Sequence, residues 1–183
     1  MERRSDRWRD VVLGRAYALF THDYRRARKA FETAFPDGFR PEETQDLSVD
    51  YLLALQRTLG NERVIGRIDK AIAYFESQPE RRFESEFDPR FFLATLYAMK
   101  GDSEATVRAL RQDAADGGLS CTVCLRVWPH FDPVRDDAVF KAFVAEAEAH
   151  TAAERQRLTD ENLLLTPAQV LAHKDFDFDP FSQ

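Results

Sequence analysis

The chain has 183 residues, of which 44% are hydrophobic and 32% charged, with a formal net charge of −6. That is enough for one domain with a substantial core or one short array of repeats, and it is the composition of a folded, soluble chain rather than a disordered one. The acidic balance argues against broad nucleic-acid binding, no apolar run reaches the roughly 18 residues that span a bilayer, and the 2 cysteines are too few for a disulfide scaffold.

The 15 Phe against 7 Gly, with almost no β-branched runs, favour helices over strands. A first helix starts at Ser5 or Asp6, with Trp8, Val12, Ala16, Leu19 and Phe20 as its apolar stripe. His22-Asp23 makes a turn. A second helix follows, carrying Tyr24, Ala27, Phe31, Ala34 and Phe35 on one side, and Pro36-Asp37-Gly38 stops it. Pro41-Glu42-Glu43 opens a third helix with Leu47, Tyr51, Leu52, Leu55 and Leu59. Gly60-Asn61 turns the chain, with Asn61 as the cap of a fourth helix bearing Val64, Ile65, Ile68, Ile72 and Phe75. A charged linker over 80–87 contains Phe83 and Phe87.

The stretch from Asp88 to Leu110 reads most clearly, as a hairpin of two antiparallel helices. Asp88 caps the first, Pro89 sits at its first position, and Phe92, Leu96 and Met99 share a face with Leu93 and Tyr97 beside them. Gly101-Asp102 turns the chain, Asp102 or Ser103 caps the second helix, and Ala105, Val107, Ala109, Leu110 and Ala114 are its small and apolar residues. Gly117-Gly118 ends it. The turns at Asp23, Asn61 and Asp102 lie 38 and 41 residues apart. One helical hairpin per period of about 40 residues is the pattern of an α-solenoid.

LGRAYALFTHDYRRARKAFETAFP, from Leu13 to Pro36, resembles a tetratricopeptide repeat: Leu13-Gly14, Ala16, Tyr17, Ala27, Phe31, Ala34 and Pro36 stand at the family's signature places, with one extra residue before the turn. FFLATLYAMKGDSEATVRAL matches more loosely through Leu93, Leu96, Tyr97 and Gly101-Asp102, and the pair over 47–78 is degenerate; the resemblance covers about residues 6–116. It implies an all-α, right-handed superhelix of about three hairpins. A second resemblance, in FDPVRDDAVFKAFVAEAEAHTAAERQRL from Phe131 to Leu158, is to the closing segment of repeat regions in multidomain bacterial regulators. It implies a final helix that caps the superhelix, with Phe140, Phe143, Val144 and Ala147 as the cover. The domain so delimited is 1–158, followed over 159–183 by a short helix, which a capping box at Thr166–Gln169 opens, and by a tail in which acids and phenylalanines alternate. The tail is read as a frayed terminus or as a docking peptide.

Few residues suggest chemistry. Cys121 and Cys124 form a C-x-x-C that with His130, the nearest histidine, is one ligand short of a zinc site unless His150 or His173 comes in from elsewhere; buried packing is the simpler reading, and a disulfide becomes the better one if the domain is periplasmic. Trp128 is expected to seal the seam between the last repeat and the capping helix, and His130 to be a loop histidine satisfied locally. Asp136-Asp137 fits a helix N-terminus. No phosphate loop, H-E-x-x-H or G-x-S-x-G occurs, so neither catalysis nor a cofactor is expected.

The repeat register implies a concave groove lined by Val11, Arg15 and Ala18, by Asp50, Ala54 and Arg57, and by Phe91, Thr95 and Met99. The expected function is non-catalytic recognition of another protein's peptide or helix in that groove, as an adaptor or scaffold. The alternative is the sensor or regulatory portion of a bacterial signalling protein, a transcriptional regulator or kinase, without its output domain. MERRSDRWRD is charged with no apolar segment after it, which does not read as a secretory signal. The expected location is cytoplasmic, or periplasmic if the chain was excised from a membrane-anchored regulator.

Overall fold

The computed structural model describes residues 2–36, 38, 45–77, 89–115 and 122–161. They form eight α-helices and no strand: α1 (Glu2–Ala16), α2 (Tyr24–Ala34), α3 (Gln45–Leu59), α4 (Asn61–Glu76), α5 (Pro89–Lys100), α6 (Ser103–Ala115), α7 (Thr122–Val127) and α8 (Ala138–Asp160). A π-helical turn, Tyr17–Thr21, extends α1, and a 3₁₀ turn, Pro129–Phe131, follows α7. The chain is all-α among these residues. The helix start at Pro41–Glu43, the Asp88 cap, Phe83 and Phe87, the Gly117-Gly118 stop, Cys121, the Thr166–Gln169 box and the 174–183 tail lie outside the described residues.

The contacts divide the chain into two units, Met1–Val144 and Ala145–Gln183. In the first, α1 packs on α2, α2 on α3, α3 on α4, α4 on α5 and α5 on α6, while α3 also touches α1 and α5. The α1–α2 pair is set by a close approach. Gly14 lies so near Phe31 that a Cβ there would stand 2.9 Å from the ring's Cε1, and Phe31 is fully buried with Ala18, Ala27 and Ala54. The turn between them needs a positive φ at His22 (54°), and Asp23 caps α2 by accepting the Arg26 N–H at 3.1 Å. The π turn takes up one residue more than an α-helical turn would hold.

One correction concerns the face that α1 buries. Of the expected stripe, Leu19 is buried at 7% and Ala16 is half-buried, but Trp8, Val12 and Phe20 are exposed at 65%, 50% and 79%. Val11, Gly14 and Ala18 point inward instead, because small residues are what the Phe31 ring can approach. A second correction is Asn61, the first residue of α4. The cap position belongs to Gly60 (φ 88°), and the Asn61 Oδ1 accepts from the Gln56 Nε2 at 3.0 Å.

The largest core cluster joins α3, α4 and α5 through Val49, Leu53, Leu55, Val64, Ile68, Phe75, Phe92 and Leu96. Tyr97 donates a hydrogen bond from α5 to Glu76 at the end of α4. At the α5–α6 turn Gly101 takes φ 79° and Asp102 caps α6 by accepting the Ala105 N–H at 2.9 Å. The second cluster fixes the end of this unit. Leu125, Phe131, Val134, Phe140 and Phe143 pack on Phe91, Ala94 and Ala98 of α5 and on Val107 and Leu110 of α6. Phe140 and Phe143 are buried in this cluster with Val144 partly buried against it, and Asp137 accepts the Val139 N–H at 2.8 Å at the start of α8. Arg135 closes the turn upon itself, donating to the carbonyls of Leu125 (3.2 Å) and Trp128 (2.8 Å) and to Asp132 (2.8 Å).

α8 ends in the second unit, where none of residues 145–161 is buried. Side-chain pairs one turn apart support it: Arg157 bonds Glu154 at 3.0 Å and Glu161 at 2.9 Å.

Candidate interaction face

The residues expected to line a groove fall on α1, the π turn, α3 and α5, and most of them are sealed. Val11, Ala18, Asp50, Phe91, Thr95 and Met99 are 0–2% exposed, whereas the side chains of Arg15 and Arg57 keep 31% and 35% of their surface. Val11 packs with Ala34 and Phe35, and Ala18 with Phe31 and Ala54. Met99 belongs to the α3–α4–α5 core, and the Thr95 hydroxyl turns back to the Phe92 carbonyl at 2.7 Å. These four are packing residues: small or apolar side chains at helix crossings are drawn into the core whatever the repeat register suggests.

Asp50, Arg57 and Phe91 all meet the chain's own turn at 128–134, and Arg15 pairs with Asp50. Phe91 stands edge-on to Trp128 (ring centroids 5.6 Å apart) and to Phe131 (6.1 Å), and Phe131 stacks on Phe140 at 5.6 Å. Arg57 reaches Asp132 at 2.7 Å and the Pro129 carbonyl at 3.3 Å, with its guanidinium 5.7 Å from the centre of the Tyr24 ring. Burial and the Asp132 charge push the Tyr24 phenol's pKa up, partly opposed by Arg57.

Asp50 is a buried carboxylate held between two partners. The Arg15 Nε lies 2.9 Å from its Oδ2 and the His130 Nε2 3.3 Å from its Oδ1. A carboxylate in this position needs a charge partner to offset its desolvation, and Arg15 supplies one. His130 is fully buried beside Trp128, and among the described residues neither ring nitrogen finds a hydrogen-bond partner of good geometry. The histidine expected to be satisfied locally in a loop is therefore a long-range core contact instead.

The partners that sequence reasoning missed are Pro129, His130 and Asp132. The available signal was the run WPHFDPVR itself, dense in aromatic and charged groups and without helical period. The metal candidates do not assemble. Cys124 is disulfide-bonded, Cys121 lies outside the described residues and His130 is sealed. Among the described residues no group of three or more His, Cys, Asp or Glu is placed to hold a metal ion, and no helix is long and apolar enough to cross a membrane.

Two open surface cavities are lined by the described residues. One, of about 420 Å³, lies between α6 and the start of α8 and is lined by Glu104, Val107, Arg108, Arg111, Gln112 and Val139. The other, of about 340 Å³, lies along α3 and α4 beside Gly38, with Ser48, Tyr51, Leu52, Arg67, Lys70 and Ala71 around it. Burial raises the Tyr51 phenol's pKa, a shift to which the Glu32 charge adds and which Arg67 opposes. Each cavity places two basic side chains around an apolar floor in a chain that is acidic as a whole. Comparison with protein-family models, with curated proteins and with solved structures finds no match for this chain.

Proposed function

We propose that the chain is a non-catalytic protein-interaction module of the helical-repeat type. In this reading α1–α2, α3–α4 and α5–α6 are three tetratricopeptide-like hairpins in a right-handed superhelix, closed by the segment from α7 to the first turns of α8. The order of helix contacts supports this arrangement, as does the π turn at the place where the first repeat carries one residue too many.

The observation that carries the reading is the Asp50–His130 pair. It is the one carboxylate–imidazole contact among the described residues, and at 1% and 0% exposure no substrate reaches it. Asp50, Arg57 and Phe91 make contacts of the kind used in peptide recognition, an imidazole contact, a backbone carbonyl and aromatic edges, but what they meet is the Trp128–Val134 turn of the same chain. A foreign peptide is then left to the surface that stays open, and the cleft of about 420 Å³, lined by Val107 and Val139 and by Arg108 and Arg111 against the single acid Glu104, suits an acidic segment with one apolar anchor.

Affinity capture from lysate, read by mass spectrometry, tests this with intact chain and an Arg108→Glu/Val139→Glu variant. A protein retained by the intact chain and lost by the folded variant supports the reading. Retention of the same proteins by both moves the site elsewhere, and no specific protein on either counts against an interaction module.

A further inference from the structure

The exposed side of α1 carries large apolar residues where a helix facing water would be polar. Trp8, Val12, Leu13 and Phe20 are 65%, 50%, 39% and 79% exposed, and among the described residues the other exposed large apolar ones, Val123, Val127 and Val139, lie on α7 and α8. Trp8, Val12 and Ala16 follow one another at i, i+4 along the helix. The π turn continues the row: its wider winding rotates the chain less per residue, so Phe20 stays in line above Val12 and Ala16.

We infer that this face pairs with the same face of a second copy, in an antiparallel α1–α1 contact about a two-fold axis near residue 14. The pattern is self-complementary about that point. Trp8 meets the second copy's Phe20 at each end and Val12 meets Ala16 in the middle, so the small residues let the helices approach while the rings close the ends. Reversal of direction also keeps like charges apart. A parallel pair would set Arg9 on Arg9, which the antiparallel arrangement avoids. The four exposed side chains offer roughly 480 Å² per copy, and with their rim the contact reaches the ~1,000 Å² total at which weak, specific dimers begin. The partner is a second copy and the surface is α1, so this inference stands apart from the cleft reading above.

Sedimentation equilibrium on the full chain, from about 1 to 500 μM, tests it against a Trp8→Glu/Phe20→Glu variant whose far-ultraviolet circular dichroism and melting curve show that it is folded. The expected result is a mass that rises with concentration from 21.1 kDa toward twice that value for the intact chain, with at least a tenfold weaker association in the variant. Raising the salt should strengthen the intact dimer, since an apolar contact forms between copies that each carry −6. A chain monomeric throughout the range, or a variant that dimerises as well as the intact chain, overturns the inference.

Discussion

Replacing Phe131 by Ala measures how firmly the 128–134 turn is held. Its ring is fully buried between Phe91 and Phe140, with ring centroids 6.1 and 5.6 Å away, so truncation leaves a cavity that neither flanking ring can fill without leaving its own packing. Such a change costs about 3–5 kcal/mol. The ion pair that also holds the turn, Arg57–Asp132, has both side chains more than a third exposed and contributes ~0.2–1 kcal/mol. Ring burial therefore dominates. Against a total stability of about 5–15 kcal/mol, the loss should lower the melting temperature by roughly 6–20 °C. Urea unfolding would be followed by circular dichroism and by Trp128 fluorescence in a Trp8→Phe background, which removes the exposed reporter. A loss below ~1 kcal/mol at unchanged urea dependence would refute the reasoning. The turn would then lie outside the cooperative core, and the face formed by Arg15, Asp50, Arg57 and Phe91 would be open to other ligands.

Gly14→Ala should destabilise although alanine is the better helix former. The added Cβ stands 2.9 Å from the fully buried Phe31 ring, and overpacking of about 1–3 kcal/mol outweighs a propensity gain of ~1 kcal/mol; a midpoint shifted upward in urea would contradict this. Asp50→Ala removes the acceptor between Arg15 and His130, and because Arg15 is 31% exposed the loss should be about 1–3 kcal/mol, below that for a fully buried pair; no change in the midpoint would mean that the carboxylate is not needed there. Burial, and then the hydrogen bond to Glu76, push the Tyr97 phenol up to about 12 from 10.0. The neutral phenol is thus the favoured form in the folded chain, and its contribution is complete below pH 10 and lost as the pH rises through about 12. A difference titration at 295 nm against Tyr97→Phe should show one phenol ionising late, and ionisation near pH 10 would remove the hydrogen bond from the account.

Much of the local structure is readable in the chain because caps and turns are local. Asp23 and Asp102 accept the N–H three residues on, and Gly60 and Gly101 stand where a positive φ is required. The buried face of α1 is not readable in the same way. Trp8–Val12–Phe20 and Val11–Gly14–Ala18 both follow helical spacing, and hydrophobicity favours the first. The decision lies in the distance between Gly14 and a ring on another helix, which no local pattern encodes. The occupant of the α1–α3–α5 face escapes for a related reason. Arg15, Asp50, Arg57 and Phe91 could be grouped from the repeat period, but the turn that meets them has no period and comes from far along the chain.

That separation bears on the order of assembly. The Arg57 contacts to Pro129 and Asp132 span 72 and 75 residues, whereas each helical hairpin closes over a few. Short loops close quickly and distant contacts wait on chain entropy, so the hairpins form first and the 128–134 turn docks late. Until it does, Asp50 lacks the cover of His130 and Phe91 lies bare. A chain emerging from the ribosome passes through that state, and its exposed ring and half-satisfied carboxylate are what a holding chaperone would meet before residues 128–134 arrive.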